Sequence, residues 1–217
     1  MKPDAVPALW IKICGLTDPD NAAACAALGP DAIGLVFFRK SPRNVSVKQA
    51  KEICSAVPSG ITTIGVFVDE SFQTIMDTAE ACGLKGVQLH GSEPPELVNR
   101  LAESGLMVIK AVFAAKPPFL DRADRIYANA RFVLAEYGEG KLPGGNAQAW
   151  NYHAVCTLAQ KKKLVLAGGL DPDNIAAAVR SVRPAGVDVS SGVESSYGIK
   201  DLNRVKDFIC RARHPEP

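Results

Sequence analysis

Short apolar runs alternate with helix-like stretches eight times along this chain, and that alternation limits the fold more than any other feature of it. The strand-like runs are Trp10 to Cys14, Ala32 to Phe38, Thr62 to Val68, Gly86 to Leu89, Met107 to Val112, Phe132 to Ala135, Leu164 to Ala167 and Val187 to Val189. Between and after them the spacing predicts helices over 21–28, 47–56, 72–82, 94–103, 118–129, 150–159, 173–182 and 201–212. Ser46 and Ser71 stand where N-caps belong, and Gly29, Gly83 and Gly105 stand where helices stop. Most of the strand runs are continuously apolar, as strands covered on both faces must be. Strand–helix alternation of this kind favours a parallel sheet with right-handed crossovers. Eight units in 217 residues point to a closed (β/α)8 barrel, a TIM barrel. An open doubly wound sheet would want a G-x-G-x-x-G turn after its first strand, and here that turn reads Cys14-Gly15-Leu16-Thr17.

The length suits one domain, residues 1–217 with a structured core of about 10–212, and 47% hydrophobic residues suffice for a core without staples. A net charge of +2 supplies no field for nucleic acid, and Lys161-Lys162-Lys163 reads as a solvated helix end. No leader pattern and no membrane-length apolar run occur. The six cysteines form no C-x-x-C pair and no cluster with histidine at metal-ligand spacing, so no metal is expected. A reduced, cytoplasmic setting follows, with a monomer or homodimer as the expected assembly. Cys25, Cys54, Cys82, Cys156 and Cys210 fall in helix-like segments and read as small buried hydrophobes.

Barrels of this kind gather their chemistry at the C-terminal ends of the strands. Cys14 ends the first strand and can serve as base or nucleophile if its thiol is activated, although any single cysteine also suits a core. Lys12 shares a face with Cys14, within ~7 Å along the strand. Arg43 follows strand two and offers a bidentate fork to an acidic group, or a plain surface cation. His90 ends strand four, as an imidazole catalyst or as filling for the barrel mouth. Glu136 follows strand six and can act as a general acid if burial raises its pKa, or be solvated beside Glu139 and Lys141. Gly168-Gly169 after strand seven and Ser190-Ser191-Gly192 after strand eight, next to Asp188, are placed to cradle a phosphate, where isolated copies of either would be ordinary turns.

Taken in order, these pieces resemble a known family. Lys12-Ile13-Cys14-Gly15-Leu16-Thr17, Gly34-Leu35-Val36-Phe37 leading to Ser41-Pro42-Arg43, Gly65-Val66-Phe67-Val68, Val87-Gln88-Leu89-His90-Gly91, Ala167-Gly168-Gly169-Leu170 and Val187-Asp188-Val189-Ser190-Ser191-Gly192-Val193-Glu194 are similar to the motifs of the phosphoribosylanthranilate isomerases. The likeness runs from about residue 10 to residue 210. It implies an Amadori rearrangement in tryptophan biosynthesis, on a small phosphorylated substrate whose own nitrogen is the electron sink, with no metal or organic cofactor and without nucleic acid or membrane. It also implies that Cys14 is the general base, that Arg43 holds the anthranilate carboxylate and that Asp188 contacts the substrate.

The sixth strand departs from the family, which usually ends it with an aspartate as general acid. Counting back from Trp150 through Leu142-Pro143-Gly144-Gly145-Asn146 aligns Ala135 with that aspartate, whereas one fewer loop residue aligns Glu136. Chemistry prefers Glu136, because alanine carries no proton. Among rivals, a pentose-phosphate epimerase would want paired aspartates and metal-binding histidines, and His90 is the one strand-end histidine. An indoleglycerol-phosphate synthase would want an extra N-terminal helical segment and more catalytic lysines. A barrel that binds a phosphorylated ligand without turnover differs from an enzyme in leaving anthranilate fluorescence unchanged.

Overall fold

The computed structural model describes residues 8–115, 119–138 and 150–215. Eight parallel strands close into a barrel in chain order: β1 (Trp10–Cys14), β2 (Ala32–Phe37), β3 (Thr62–Phe67), β4 (Gly86–Leu89), β5 (Met107–Phe113), β6 (Phe132–Glu136), β7 (Leu164–Leu166) and β8 (Gly186–Val189), with β8 pairing back onto β1. The helices on the outside are α1 (Pro19–Ala27), α2 (Val47–Ala56), α3 (Phe72–Cys82), α4 (Pro95–Glu103), α5 (Phe119–Ile126), α6 (Cys156–Lys161), α7 (Ile175–Val182) and α8 (Leu202–Arg213).

Strand parity divides the apolar residues into two cores. Residues of one parity, including Ile11, Ile13, Leu35, Val87, Val133 and Val187, pack against the helices. Those of the other, including Ile64, Ile109, Leu134 and Val165, fill the barrel. Nearly every strand side chain is therefore buried, which is why the runs carry no polar alternation. The inner set thins toward the C-terminal end, where Lys12, Cys14, Gln88, His90, Glu136 and Asp188 take over among buried residues.

Local chemistry sets the helix starts. Ser46 accepts from Gln49 N while the Gln49 side chain accepts from Ser46 N, a reciprocal cap on α2. Asp18 accepts from Asn21 N and Pro19 occupies the first turn, so α1 begins before the apolar pattern does. Conversely, the Asp171 carboxylate accepts from the N–H groups of Asp173 and Asn174, and α7 starts later, at Ile175. Strand β6 reaches Glu136 because β5 runs on to Phe113, which pairs with it. The segment expected as one helix before β7 opens instead with a 3-10 turn, Tyr152–Val155.

The eight-unit reading omits an antiparallel hairpin after β8, formed by β9 (Glu194–Ser196) and β10 (Ile199–Lys200). Of the five helical cysteines, Cys25 and Cys82 are buried, Cys54 and Cys156 half-buried, and Cys210 exposed. Cys210 misses the buried stripe of α8, which is carried by Val205, Phe208, Ile209 and Ala212. Among the described residues, no helix is long and apolar enough to cross a membrane, and no group of three or more His, Cys, Asp or Glu is placed to hold a metal ion. The expected glycine-rich stretch Leu142–Asn146 lies outside the described residues.

Candidate active site

A cavity at the C-terminal mouth of the barrel is lined by Cys14, Arg43, Gln88, His90, Glu136, Gly168, Gly169, Leu170, Asp188, Ser190 and Ser191, together with apolar side chains of β2 and β3. Cys14 and Lys12 both project inward from β1. Lys12 is wholly buried, and its Nζ lies 3.0 Å from each Asp188 carboxylate oxygen, the residue opposite it on β8. The same ammonium acts on the Cys14 thiol through its charge, favouring the thiolate. Both side chains fold over Gly34 of β2, where a Cβ would come within 2.6 Å of Cys14 Sγ and 3.0 Å of Lys12 Nζ. Burial pushes the Cys14 thiol above its ordinary pKa; Lys12 opposes that shift and Asp188 adds to it. Burial likewise raises the Asp188 carboxyl against the pull of Lys12. Burial works to strip Lys12 of its proton, yet Asp188 and Cys14 outweigh it, so the ammonium titrates above its usual range.

Across the mouth, Glu136 projects into the cavity while Ala135 packs in the outer core, so the two candidates on β6 point opposite ways. Glu136 Oε2 lies 3.2 Å from His90 Nε2, close enough for attraction but off line for a hydrogen bond. The Gln88 side-chain amide donates to His90 Nδ1 at 2.9 Å, which leaves the proton of the neutral ring on Nε2. Gln88 and His90 are two residues apart on one strand, which is what puts both on the inner face.

Arg43 is buried, and half its fork is engaged. Its Nε and Nη2 donate to the two oxygens of Glu194 at 2.7 and 2.6 Å, leaving Nη1 without a described partner. Lys200 Nζ reaches the same carboxylate at 2.8 Å and the Ser190 carbonyl at 3.2 Å. Tyr197, at the hairpin tip, lies over the Arg43 guanidinium at 5.2 Å. Burial pushes the Glu194 carboxyl up, but Arg43 and Lys200 together hold it below its usual range.

The glycine and serine loops lie side by side on the cavity wall. Gly168 and Gly169 take φ of +86° and +67°, a backbone open to glycine at little cost. Gly192 stands behind this wall: it is packed on the Leu170 carbonyl with no room for a Cβ, and its own carbonyl accepts from Arg204.

The family model described as N-(5'phosphoribosyl)anthranilate (PRA) isomerase matches residues 11–211. The chain belongs to this family. A relative named N-(5'-phosphoribosyl)anthranilate isomerase, from Desulfatibacillum aliphaticivorans, is 48% identical over 202 residues, covering 93% of this chain and 92% of the relative. The phosphoribosyl anthranilate isomerase of Thermotoga maritima superposes with a TM-score of 0.87 at 37% identity, over 95% of this chain and 99% of that one. A second solved isomerase, in complex with reduced 1-(o-carboxyphenylamino)-1-deoxyribulose 5-phosphate, gives 0.84 at 36% identity over the same shares. This chain is thus an isomerase of tryptophan biosynthesis.

Within this isomerase, nine of the ten residues expected at the site line one cavity, and Gly192 backs it. Lys110 of β5, which also attracts notice as a strand residue, faces the helices and pairs with Glu93 at 3.0 Å. Gln88, Glu194 and Lys200 went unassigned. The first two lay inside quoted motifs, but their partners His90 and Arg43 are found only once strand parity and the hairpin are known.

Proposed function

We propose that Cys14 is the general base and Glu136 the general acid of the Amadori rearrangement of N-(5'-phosphoribosyl)anthranilate to 1-(2-carboxyphenylamino)-1-deoxyribulose 5-phosphate. The protonated Glu136 carboxyl donates to the ribose ring oxygen as the C1′–O bond breaks, leaving an open-chain Schiff base. The Cys14 thiolate then removes the C2′ proton. The released electron pair flows into the protonated imine, giving an enolamine, and C1′ takes up a proton as the C2′ enol becomes the ketone. The substrate's own nitrogen is the electron sink.

Lys12 favours the thiolate form of Cys14 by charge, against the burial that favours the thiol. The Gly168-Gly169 and Ser190-Ser191 segments take the 5′-phosphate, with Gly192 as their support. Arg43 meets the anthranilate carboxylate through Nη1, its other edge being anchored on Glu194. Asp188 and His90 border the pentose. The observation that carries this reading is that Cys14 and Glu136, on strands β1 and β6, line one cavity with both anion loops. Six cysteines without disulfides suit a reducing, cytoplasmic setting.

Anthranilate fluorescence tests it. The wild-type enzyme quenches substrate emission with turnover, and Cys14→Ala and Glu136→Gln each lower kcat by about 100-fold or more while remaining folded by circular dichroism. Full turnover in either variant removes that residue from its role. Binding without loss of emission in the wild type would instead favour a ligand-binding barrel.

A further inference from the structure

Three side chains outside the cavity lining grip three consecutive carbonyls of the turn after β7. Trp150 Nε1–H donates to the Ala167 carbonyl at 3.0 Å, Tyr152 O–H to the Gly168 carbonyl at 2.8 Å, and Asn174 Nδ2–H to the Gly169 carbonyl at 2.7 Å. In a trans peptide the C=O of one residue and the N–H of the next point opposite ways. Pulling back these three carbonyls therefore sets the directions of three N–H groups, on Gly168, Gly169 and Leu170. All three residues line the cavity, and no described residue accepts a bond from any of those N–H groups.

We propose that Trp150, Tyr152 and Asn174 are positioning residues that aim the backbone N–H groups of Gly168, Gly169 and Leu170 at the substrate phosphate. The inference rests on the reading of these loops as the phosphate cradle. Glycine alone makes such a turn accessible but does not hold it, because its backbone loses more freedom on ordering than that of any other residue. The three donors supply the hold from behind, so the cradle is preformed before the anion arrives.

Each donor is itself secured. The Trp150 and Tyr152 rings meet edge to face at 5.3 Å. Burial pushes the Tyr152 hydroxyl up to about 12, with Asp171 adding to the shift, so it remains a donor throughout the working pH range. Asn174 also accepts from Asp171 N at 3.0 Å, clasping the turn at both ends. A Cβ on Gly168 would lie 3.1 Å from Trp150 Nε1 and 3.0 Å from Glu136 Cγ, so the first peptide of the cradle is wedged between its tether and the proposed acid.

Tyr152→Phe removes one donor and keeps the ring, and inorganic phosphate serves as the probe. If the hydroxyl aims the cradle, phosphate competes with substrate in the wild type. In the variant, its inhibition constant and the KM for substrate then rise together by about 5-fold, with a smaller change in kcat. Asn174→Ala shows the same pattern. A merely structural tyrosine would lower the unfolding midpoint and leave the phosphate inhibition constant alone, and that result overturns the proposal. So does a variant in which kcat falls while both constants stay put. Phosphate that does not compete even in the wild type removes the cradle itself, and this inference with it.

Discussion

Replacing Lys12 with methionine tests how the base is held. The ammonium is wholly buried, lies 3.0 Å from both Asp188 oxygens and favours the Cys14 thiolate by its charge. Opposite charges about 4 Å apart attract by about 4 kcal/mol at an effective dielectric of about 20, and Asp188 claims a share of that attraction. What remains for the thiolate is worth about 10- to 100-fold in its population, and kcat/KM near neutral pH should fall by that factor. The sign follows from the groups around the sulfur. Lys12 favours the thiolate, so its loss moves the rising limb of the pH profile to higher pH, with partial recovery of rate in alkaline buffer. Asp188 disfavours the thiolate, so Asp188→Asn moves the same limb to lower pH, whatever it does to substrate affinity. The assay is the pH dependence of kcat/KM, checked by the pH dependence of iodoacetamide alkylation at the Cys14 peptide. Removing one member of a buried pair costs about 3–5 kcal/mol of stability, so the double variant Lys12→Met/Asp188→Asn separates folding from catalysis. It should regain stability over Lys12→Met, and its limb should lie between those of the two single variants. Limbs that stay fixed, or that move the same way in both single variants, refute the electrostatic account.

Gly34→Ala should be disabling although the substitution is small. Elsewhere in a strand this change gains about 0.5–1 kcal/mol, but here the new methyl meets Cys14 Sγ and Lys12 Nζ. A loss of about 1–3 kcal/mol in urea unfolding and at least ~10-fold in kcat is expected. Arg43→Ala should act mainly on KM, because it removes the proposed carboxylate partner and leaves the proposed acid–base pair in place; steady-state kinetics on the fluorescent substrate decides this. Glu194→Gln tests the anchor behind Arg43 through pH. A carboxyl held below its ordinary value contributes stability that is present above about 4.5, its unfolded value, and lost as the pH falls through the folded one. The wild type should therefore lose more urea resistance than the variant between about pH 6 and about pH 3.

The barrel was legible because doubly covered strands leave unmistakable apolar runs, and because caps such as Ser46 and Ser71 act through neighbours three residues away. The residues that line the cavity were legible too, since parallel strands deliver their last residues to one rim. Their pairings were not. Lys12 and Asp188 are 176 residues apart, and Arg43 and Glu194 are 151 apart. Nothing local in either segment announces its partner. The β9–β10 hairpin was missed because Glu194–Lys200 carries glycine and serine in place of an apolar alternation, and ion pairs rather than a core hold it. Ala135 and Glu136 could be told apart only by parity, which depends on where β6 begins and ends.

That parity has a further consequence for β1. The proposed base Cys14 and the lysine beside it, Lys12, are alternate members of one strand, with Ile11 and Ile13 turned to the helices between and beside them. A slip of one place in the pairing of β1 would carry both polar groups into the oily outer layer and bring two isoleucines into the mouth. No partly correct arrangement keeps one without the other. Turnover by this enzyme is thus also a readout of whether its first strand was threaded correctly.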